Sequence, residues 1–242
     1  LSVDAAFMST DNIGYIRVNK FNEQTNTEME KALRKLTEQG MKRLVLDLRV
    51  NPGGYLEQAV KMSDLFLDGG SKENPRKIVN VKARRPEFDE SYFARTGEQY
   101  ERLPVIVLIG NSSASASEIV AGAIQDWDRG LIIGETSFGK GLVQRQWTLA
   151  DGSALRLTIA KYYTPSGRLI QRAYEGKEKS DYQREAFERS EEEGENIEHD
   201  KDSKSAKDTA RPVFKTNSGR VVYGGGGITP DYIIKNEELG KT

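Results

Sequence analysis

Strand-forming runs alternate with helix-period segments along most of this chain, and that alternation points to a layered α/β architecture. Residues Ile13-Gly14-Tyr15-Ile16-Arg17-Val18-Asn19 alternate apolar and polar like a half-buried strand. Thr27-Glu28-Met29-Glu30 has the pattern of a capping box, with Thr27 as N-cap. Met29, Ala32, Leu33 and Leu36 follow at helical spacing, and Gly40 suits the stop. A compact strand over Arg43–Arg49 breaks at Asn51-Pro52-Gly53-Gly54, and an amphipathic helix is predicted over 56–67. The most apolar run, Val105-Ile106-Val107-Leu108-Ile109, leads into a serine-rich turn and another helix carrying Ile119, Val120, Ala123 and Ile124. Leu131-Ile132-Ile133 forms a further strand, and 142–149 and 153–160 pair around the turn Asp151-Gly152. Residues 71–103 read as charged and irregular, with a candidate strand at Ile78–Val81.

The length of 242 residues suits one domain carrying an insertion, here the polar, charge-dense stretch at about 175–210. Part of that stretch, Tyr182–Glu193, is a helix candidate, yet its sparse apolar residues place it outside the expected core. Order is expected to return at Pro212-Val213-Phe214 and Arg220–Tyr223, a β-rich C-terminal portion. Positive and negative side chains number 36 and 37, so no global attraction to nucleic acid or anionic membrane is expected. No apolar run approaches the ~18 residues of a membrane span. The start at Leu1-Ser2-Val3, without an initiator Met or an apolar leader, fits a mature or trimmed fragment.

Cysteine is absent, which removes disulfides, thiolate nucleophiles and Cys-based zinc sites. The single histidine, His199, sits in an acidic polar run and reads as a solvated loop residue. A Ser-His-Asp triad needs an imidazole held by packing and hydrogen bonds. Any acyl-transfer chemistry in this chain therefore calls for a different base.

Ser115 follows the most apolar strand at the mouth of a helix, between Ala114 and Ala116. Helix N-terminal amides favour a developing oxyanion there, and small neighbours let a substrate backbone approach. Taken alone, the run Ser112, Ser113, Ser115, Ser117 favours helix capping. Lys140 stands between Gly139 and Gly141, near the apolar Phe138, Leu142 and Val143. A lysine acting as base must shed its proton, which desolvation favours; a solvated turn lysine is the plain alternative. Gln144 either steadies that ammonium or faces solvent. Gly53 and Gly54 offer exposed amides as oxyanion donors, or form an ordinary turn.

Five ordered blocks tip these alternatives. They are Asp47-Leu48-Arg49-x-Asn51-Pro52-Gly53-Gly54, Ser113-Ala114-Ser115-Ala116-Ser117-Glu118-Ile119, Gly139-Lys140-Gly141-x-x-Gln144, Thr164-Pro165-Ser166-Gly167-Arg168 and Gly227-Ile228-Thr229-Pro230-Asp231. Together the chain resembles the carboxyl-terminal processing peptidases, also called tail-specific proteases, over about residues 10–172 and 212–234. The resemblance implies a ClpP/crotonase-like ββα superhelix and a Ser-Lys dyad. In it Ser115 is the nucleophile, Lys140 the base and Gln144 its support, with an oxyanion hole from Gly53 or Gly54 and Ala116. It implies a polypeptide substrate, no metal or organic cofactor, and an extracytoplasmic bacterial setting such as the periplasm. It also implies a PDZ domain, which would lie outside this chain. Val50 and Ser112 depart from the family pattern, where glycine is common. Two rivals remain: a catalytically silent peptide-binding or scaffold domain, and a crotonase-like acyl-transfer enzyme acting on thioesters.

Overall fold

The computed structural model describes residues 1–10, 12–97, 99–192 and 211–234. A six-stranded sheet forms its centre, in the order β1 (Val3–Thr10), β2 (Ile13–Val18), β3 (Arg43–Asp47), β6 (Val105–Ile109), β7 (Leu131–Gly134), β12 (Tyr232–Ile233). The β1–β2 pair is antiparallel, and the other neighbours run parallel. Three crossing helices cover this sheet: α1 (Thr25–Glu38), α2 (Leu56–Asp64) and α3 (Ala116–Asp126). Their apolar stripes, including Met29, Leu33, Leu36, Met62, Val120 and Ile124, close over Ile16, Leu44, Leu46, Val107 and Ile132 in one core. Parallel strands need such crossovers, so the strand–helix alternation of the sequence and the sheet order have one cause.

A second, antiparallel sheet has the order β5 (Glu90–Phe93), β4 (Lys77–Ala83), β9 (Ala154–Tyr163), β8 (Leu142–Thr148). The strands expected around Asp151-Gly152 pair as β8 and β9. The candidate strand at Ile78–Val81 lies within β4, where Ile78, Val79 and Val81 are buried, and the segment expected to be irregular also supplies β5. A short hairpin, β10 (Val213–Lys215) with β11 (Val221–Tyr223), precedes β12.

Two expectations need correction. Helix α1 begins at Thr25, not after a Thr27 cap. The Thr25 hydroxyl accepts from the Asn22 amide at 2.8 Å, and the Asn22 side chain accepts from the Gln24 amide at 2.9 Å, so the turn closes before Thr27. The charged segment also contributes more than a solvated face. It forms α4 (Lys179–Glu192), in which Ala186 is fully buried and Tyr182 packs edge-on to Phe138, ring centroids 5.6 Å apart. Two positions four residues apart, Tyr182 and Ala186, share one face of a helix that is polar apart from these and Phe187. His199 lies outside the described residues.

At the C-terminal end of α3, Arg168 Nη2 donates to Asp126 Oδ1 and to Gln125 Oε1, each at 2.7 Å. Both members of this ion pair are buried, with side-chain exposures of 0% and 1%. Breaking a buried pair strands an uncompensated charge, at a cost of about 3–5 kcal/mol. Asp126→Ala is therefore expected to lower the unfolding free energy by about that amount in urea titrations. A loss under about 1 kcal/mol would place the pair with weak surface bridges and refute this view of it.

Candidate active site

Three loops leave the C-terminal ends of the adjacent parallel strands β3, β6 and β7 and converge, as ligand-binding loops of open α/β sheets do. The β3 loop carries Asn51-Pro52-Gly53-Gly54, the β6 loop carries Ser115, and the β7 loop carries Lys140.

Ser115 is the N-cap of α3, with φ 55° and ψ −111°. A left-handed conformation is uncommon for a residue with a Cβ and costs about 1–3 kcal/mol, so neighbouring contacts must hold it. Those contacts come from the flanking serines. Ser113 Oγ donates to the Leu48 carbonyl at 2.7 Å and Ser117 Oγ to the Asn51 carbonyl at 2.9 Å. The Ala114 amide donates to the same Asn51 carbonyl at 3.1 Å. Two hydroxyls of the serine run thus tie the β6 loop to the β3 loop, and Ser115 stands between them, 7% exposed.

The glycine turn lies against this elbow. A Cβ on Gly53 would come within 2.6 Å of the Ala114 carbonyl oxygen, and one on Gly54 within 2.0 Å of the Phe21 carbonyl oxygen. Only glycine permits both approaches, and both residues have positive φ, 97° and 147°. Their amides differ in use. The Gly53 N–H donates to Asn51 Oδ1 at 2.9 Å. The N–H groups of Gly54 and Ala116 have no partner among the described hydrogen bonds.

Glu118 joins the β6 loop to the β7 loop. Its carboxylate is fully buried and receives four donors. Oε1 accepts from Ser137 Oγ at 2.6 Å and the Gly139 amide at 2.7 Å. Oε2 accepts from the Ser115 and Lys140 amides, each at 2.8 Å. The amide nitrogens of Ser115 and Lys140 therefore sit on one oxygen, although 25 positions separate them in sequence. Burial pushes this carboxyl above the usual carboxylate range, and the four donors pull the other way.

The backbone around Lys140 is held on both sides. The Gly139 carbonyl accepts from the Arg172 amide at 3.0 Å and from the Tyr182 hydroxyl at 3.2 Å. The Gly141 amide donates to Gln171 Oε1 at 2.8 Å, and its carbonyl accepts from the Tyr162 amide at 2.8 Å. Lys140 itself is half-buried. Among the described hydrogen bonds none links its ammonium to Ser115 Oγ.

Beside Ser115 stands the phenol of Tyr162, which burial pushes above its ordinary range while the Ser115 hydroxyl acts in the opposite sense. Tyr162 also lines a cleft of about 440 Å³ with Gly54, Tyr55, Tyr92, Val143 and Gln144. Gln144 sits where the β8–β9 register slips between Val143 and Gln144, and such bulges re-aim side chains. Gly54 and Gln144 thus share one cleft wall, whereas the Gly53 amide is already engaged.

Glu118 and Tyr162 had been given no role from sequence. Glu118 carried a signal, since Ser115-Ala116-Ser117-Glu118 fits the capping-box spacing. Tyr162 carried none, because its position depends on the β4–β9 pairing. Among the described residues no group of acidic or histidine side chains is placed to hold a metal ion.

Residues 12–178 match the model of peptidase family S41, and the chain belongs to that family. A carboxy-terminal-processing protease of Bartonella bacilliformis is 46% identical over 163 residues, covering 66% of this chain and 36% of the relative. A carboxyl-terminal-processing protease of Picosynechococcus is 42% identical over 155 residues, covering 64% of this chain and 36% of the relative. The chain thus spans about a third of the length of these curated relatives. Among solved structures, the photosystem II D1 C-terminal processing protease is 35% identical with a TM-score of 0.57, covering 70% of this chain and 43% of that one. These likenesses bear out the sequence resemblance and an α/β peptidase fold.

Glu118→Gln keeps the shape of the side chain and replaces one accepting oxygen by an NH₂ group. Either amide orientation then faces two donors. The expected loss is about 3 kcal/mol of stability, from broken bonds to a charged acceptor and stranded amides. Urea unfolding checks it, and a change within about 0.5 kcal/mol would show that the carboxylate does not hold the loops.

Proposed function

We propose that this chain is the catalytic core of a serine endopeptidase that cuts polypeptides near their C-terminal ends through a Ser115–Lys140 dyad. The observation that supports it most is the common acceptor, Glu118 Oε2, which brings the backbones of both residues to one point.

In this reading Ser115 Oγ attacks the scissile carbonyl carbon while uncharged Lys140 Nζ takes its proton. The carbonyl oxygen gains the negative charge and receives N–H groups from Gly54 and Ala116, amides without partners among the described hydrogen bonds. Gly53 serves by its lack of a side chain and not by its amide. Lys140 then returns the proton to the leaving amine, the C–N bond breaks, and an acyl-Ser115 ester remains. Water, deprotonated by Lys140, hydrolyses that ester. Gln144 orients the Lys140 ammonium from the cleft wall. Tyr162, kept neutral by burial, remains a phenol able to donate to Ser115 or to substrate.

β8 is the outer strand of its sheet and begins directly after the lysine loop, so an extended substrate can add beside it and run into the cleft. Its β1-β2-α1 opening and repeated strand–helix units are in keeping with a ClpP/crotonase-like superhelix. A PDZ domain supplied outside this chain and an extracytoplasmic location complete the reading, both by analogy with the family. Among the described residues no helix is long and apolar enough to cross a membrane.

Ser115→Ala and Lys140→Arg separate this reading from a silent scaffold and from thioester chemistry. Arginine keeps the charge but cannot surrender its proton. Each variant is expected to fold and to lose cleavage of an unfolded protein by on the order of 10⁴-fold or more, followed by mass spectrometry of the fragments. Wild-type turnover in Lys140→Arg would remove the lysine from the mechanism. Cleavage that survives in Ser115→Ala would remove the serine.

A further inference from the structure

A second cavity of about 340 Å³ lies between α4 and the backbone of Gly225-Gly226, and it shares no lining residue with the Ser115 cleft. Three cations line it, Arg172, Lys177 and Arg211, together with Glu185 and Glu188. Both carboxylates are already engaged. Glu185 accepts from Lys177 at 2.6 Å, and Glu188 pairs with Arg184 at 3.1 Å.

The two guanidinium groups keep N–H groups that neither carboxylate takes. Arg172 is 7% exposed, and its Nη2 donates to the Tyr182 carbonyl, while its buried Nε and Nη1 have no partner among the described residues. Arg211 likewise has buried Nε and Nη2 atoms without a partner among the described residues. Aromatic rings fix both planes. Arg172 Cζ lies 4.1 Å from the Tyr182 ring centroid and 5.0 Å from that of Phe138, and Arg211 Cζ lies 5.7 Å from that of Tyr223. A guanidinium only donates and does not deprotonate in a protein, so it cannot escape burial by losing its charge. Four buried N–H-bearing atoms on two fixed forks around one cavity require an acceptor-rich, negatively charged occupant.

We propose that this cavity is an oxyanion-binding site in which Arg172 and Arg211 hold a carboxylate or phosphate group. The site stands whether or not Ser115 and Lys140 act as assigned above. Arg172 nevertheless links the site to the lysine loop, because its amide donates to the Gly139 carbonyl at 3.0 Å. Two sources supply the chemistry: the α-carboxylate at the end of a peptide, and free phosphate.

Titration calorimetry on the full chain carrying Ser115→Ala tests the site without any peptide turnover. The probes are inorganic phosphate, N-acetyl-dialanine as the free acid, and the same peptide as its C-terminal amide. Saturable binding of the free acid or of phosphate is expected with a Kd of about 1 mM or tighter, and none of the amide. Binding of the acid alone identifies a peptide end, and binding of phosphate alone identifies the free ion. Arg211→Gln should weaken that binding at least tenfold. Its ligand-free melting temperature should stay level or rise, because the change removes a half-buried cation whose Nε and Nη2 have no partner among the described residues. If that variant fails to fold, Arg211→Lys keeps the charge without the fork and should bind with an affinity lower than wild type. No saturable heat up to about 10 mM would overturn the proposal, and so would amide binding equal to the acid or an affinity unchanged in a folded Arg211 variant.

Discussion

A carboxylate without solvent contact sets the geometry on which this site depends. An ionised side chain in a protein interior persists only if its lone pairs are answered. Glu118 is answered four times, by its own helix start at Ser115 and by Ser137, Gly139 and Lys140 of the β7 loop. Three of those donors are main-chain amides, so the carboxylate fixes the path of the backbone and leaves the Ser115 and Lys140 side chains uncommitted. A side-chain bridge between the same loops would have consumed one of the groups available for chemistry.

The opposite end of α3 is anchored by a different network with the same logic. Arg168 reaches Gln125 and Asp126, and Asp231 accepts from the Ile132 amide at 2.8 Å and from Gln125 Nε2 at 3.1 Å. The Thr164–Arg168 and Gly227–Asp231 blocks therefore help to hold the helix that bears Ser115, and Ile228 also bonds Ser137 of the lysine loop in both directions. With both ends tied, α3 cannot slide along the sheet without breaking a buried ion pair. Such pairs add little net stability compared with apolar packing, yet they penalise every alternative register.

Periodicity made the central sheet and its three covering helices legible, because burial against a parallel sheet writes itself into runs such as Val105–Ile109. What stayed hidden depends on partners distant in sequence. β1, whose residues Val3–Thr10 show no clean alternation, is a strand because it pairs with β2 and because Glu28 accepts the Ser2 and Val3 amides at 2.7 and 2.9 Å. Helix α4 has too few apolar residues to announce a packing face, and Tyr182 gains one from Phe138, Arg172 and Tyr174. The positions of Ser115, Lys140 and the glycine turn on neighbouring loops followed from the adjacency of β3, β6 and β7 in the folded sheet, which periodicity does not specify. The different fates of the Gly53 and Gly54 amides did not, since they turn on where a single side chain, Asn51, points.

The serine run shows how identical residues come to differ. Ser113 and Ser117 face the β3 loop and spend their hydroxyls on its carbonyls, whereas Ser115 is turned away by its left-handed backbone. That conformation is unfavourable in isolation. It persists because Gly53 has no Cβ to collide with the Ala114 carbonyl and because Glu118 holds the Ser115 amide. Strain at the serine, absence of a side chain at Gly53 and the buried acid are thus one arrangement. A larger residue at Gly53 would press on the elbow directly, and a weaker acceptor at position 118 would let it relax toward an ordinary helix cap with its hydroxyl redirected.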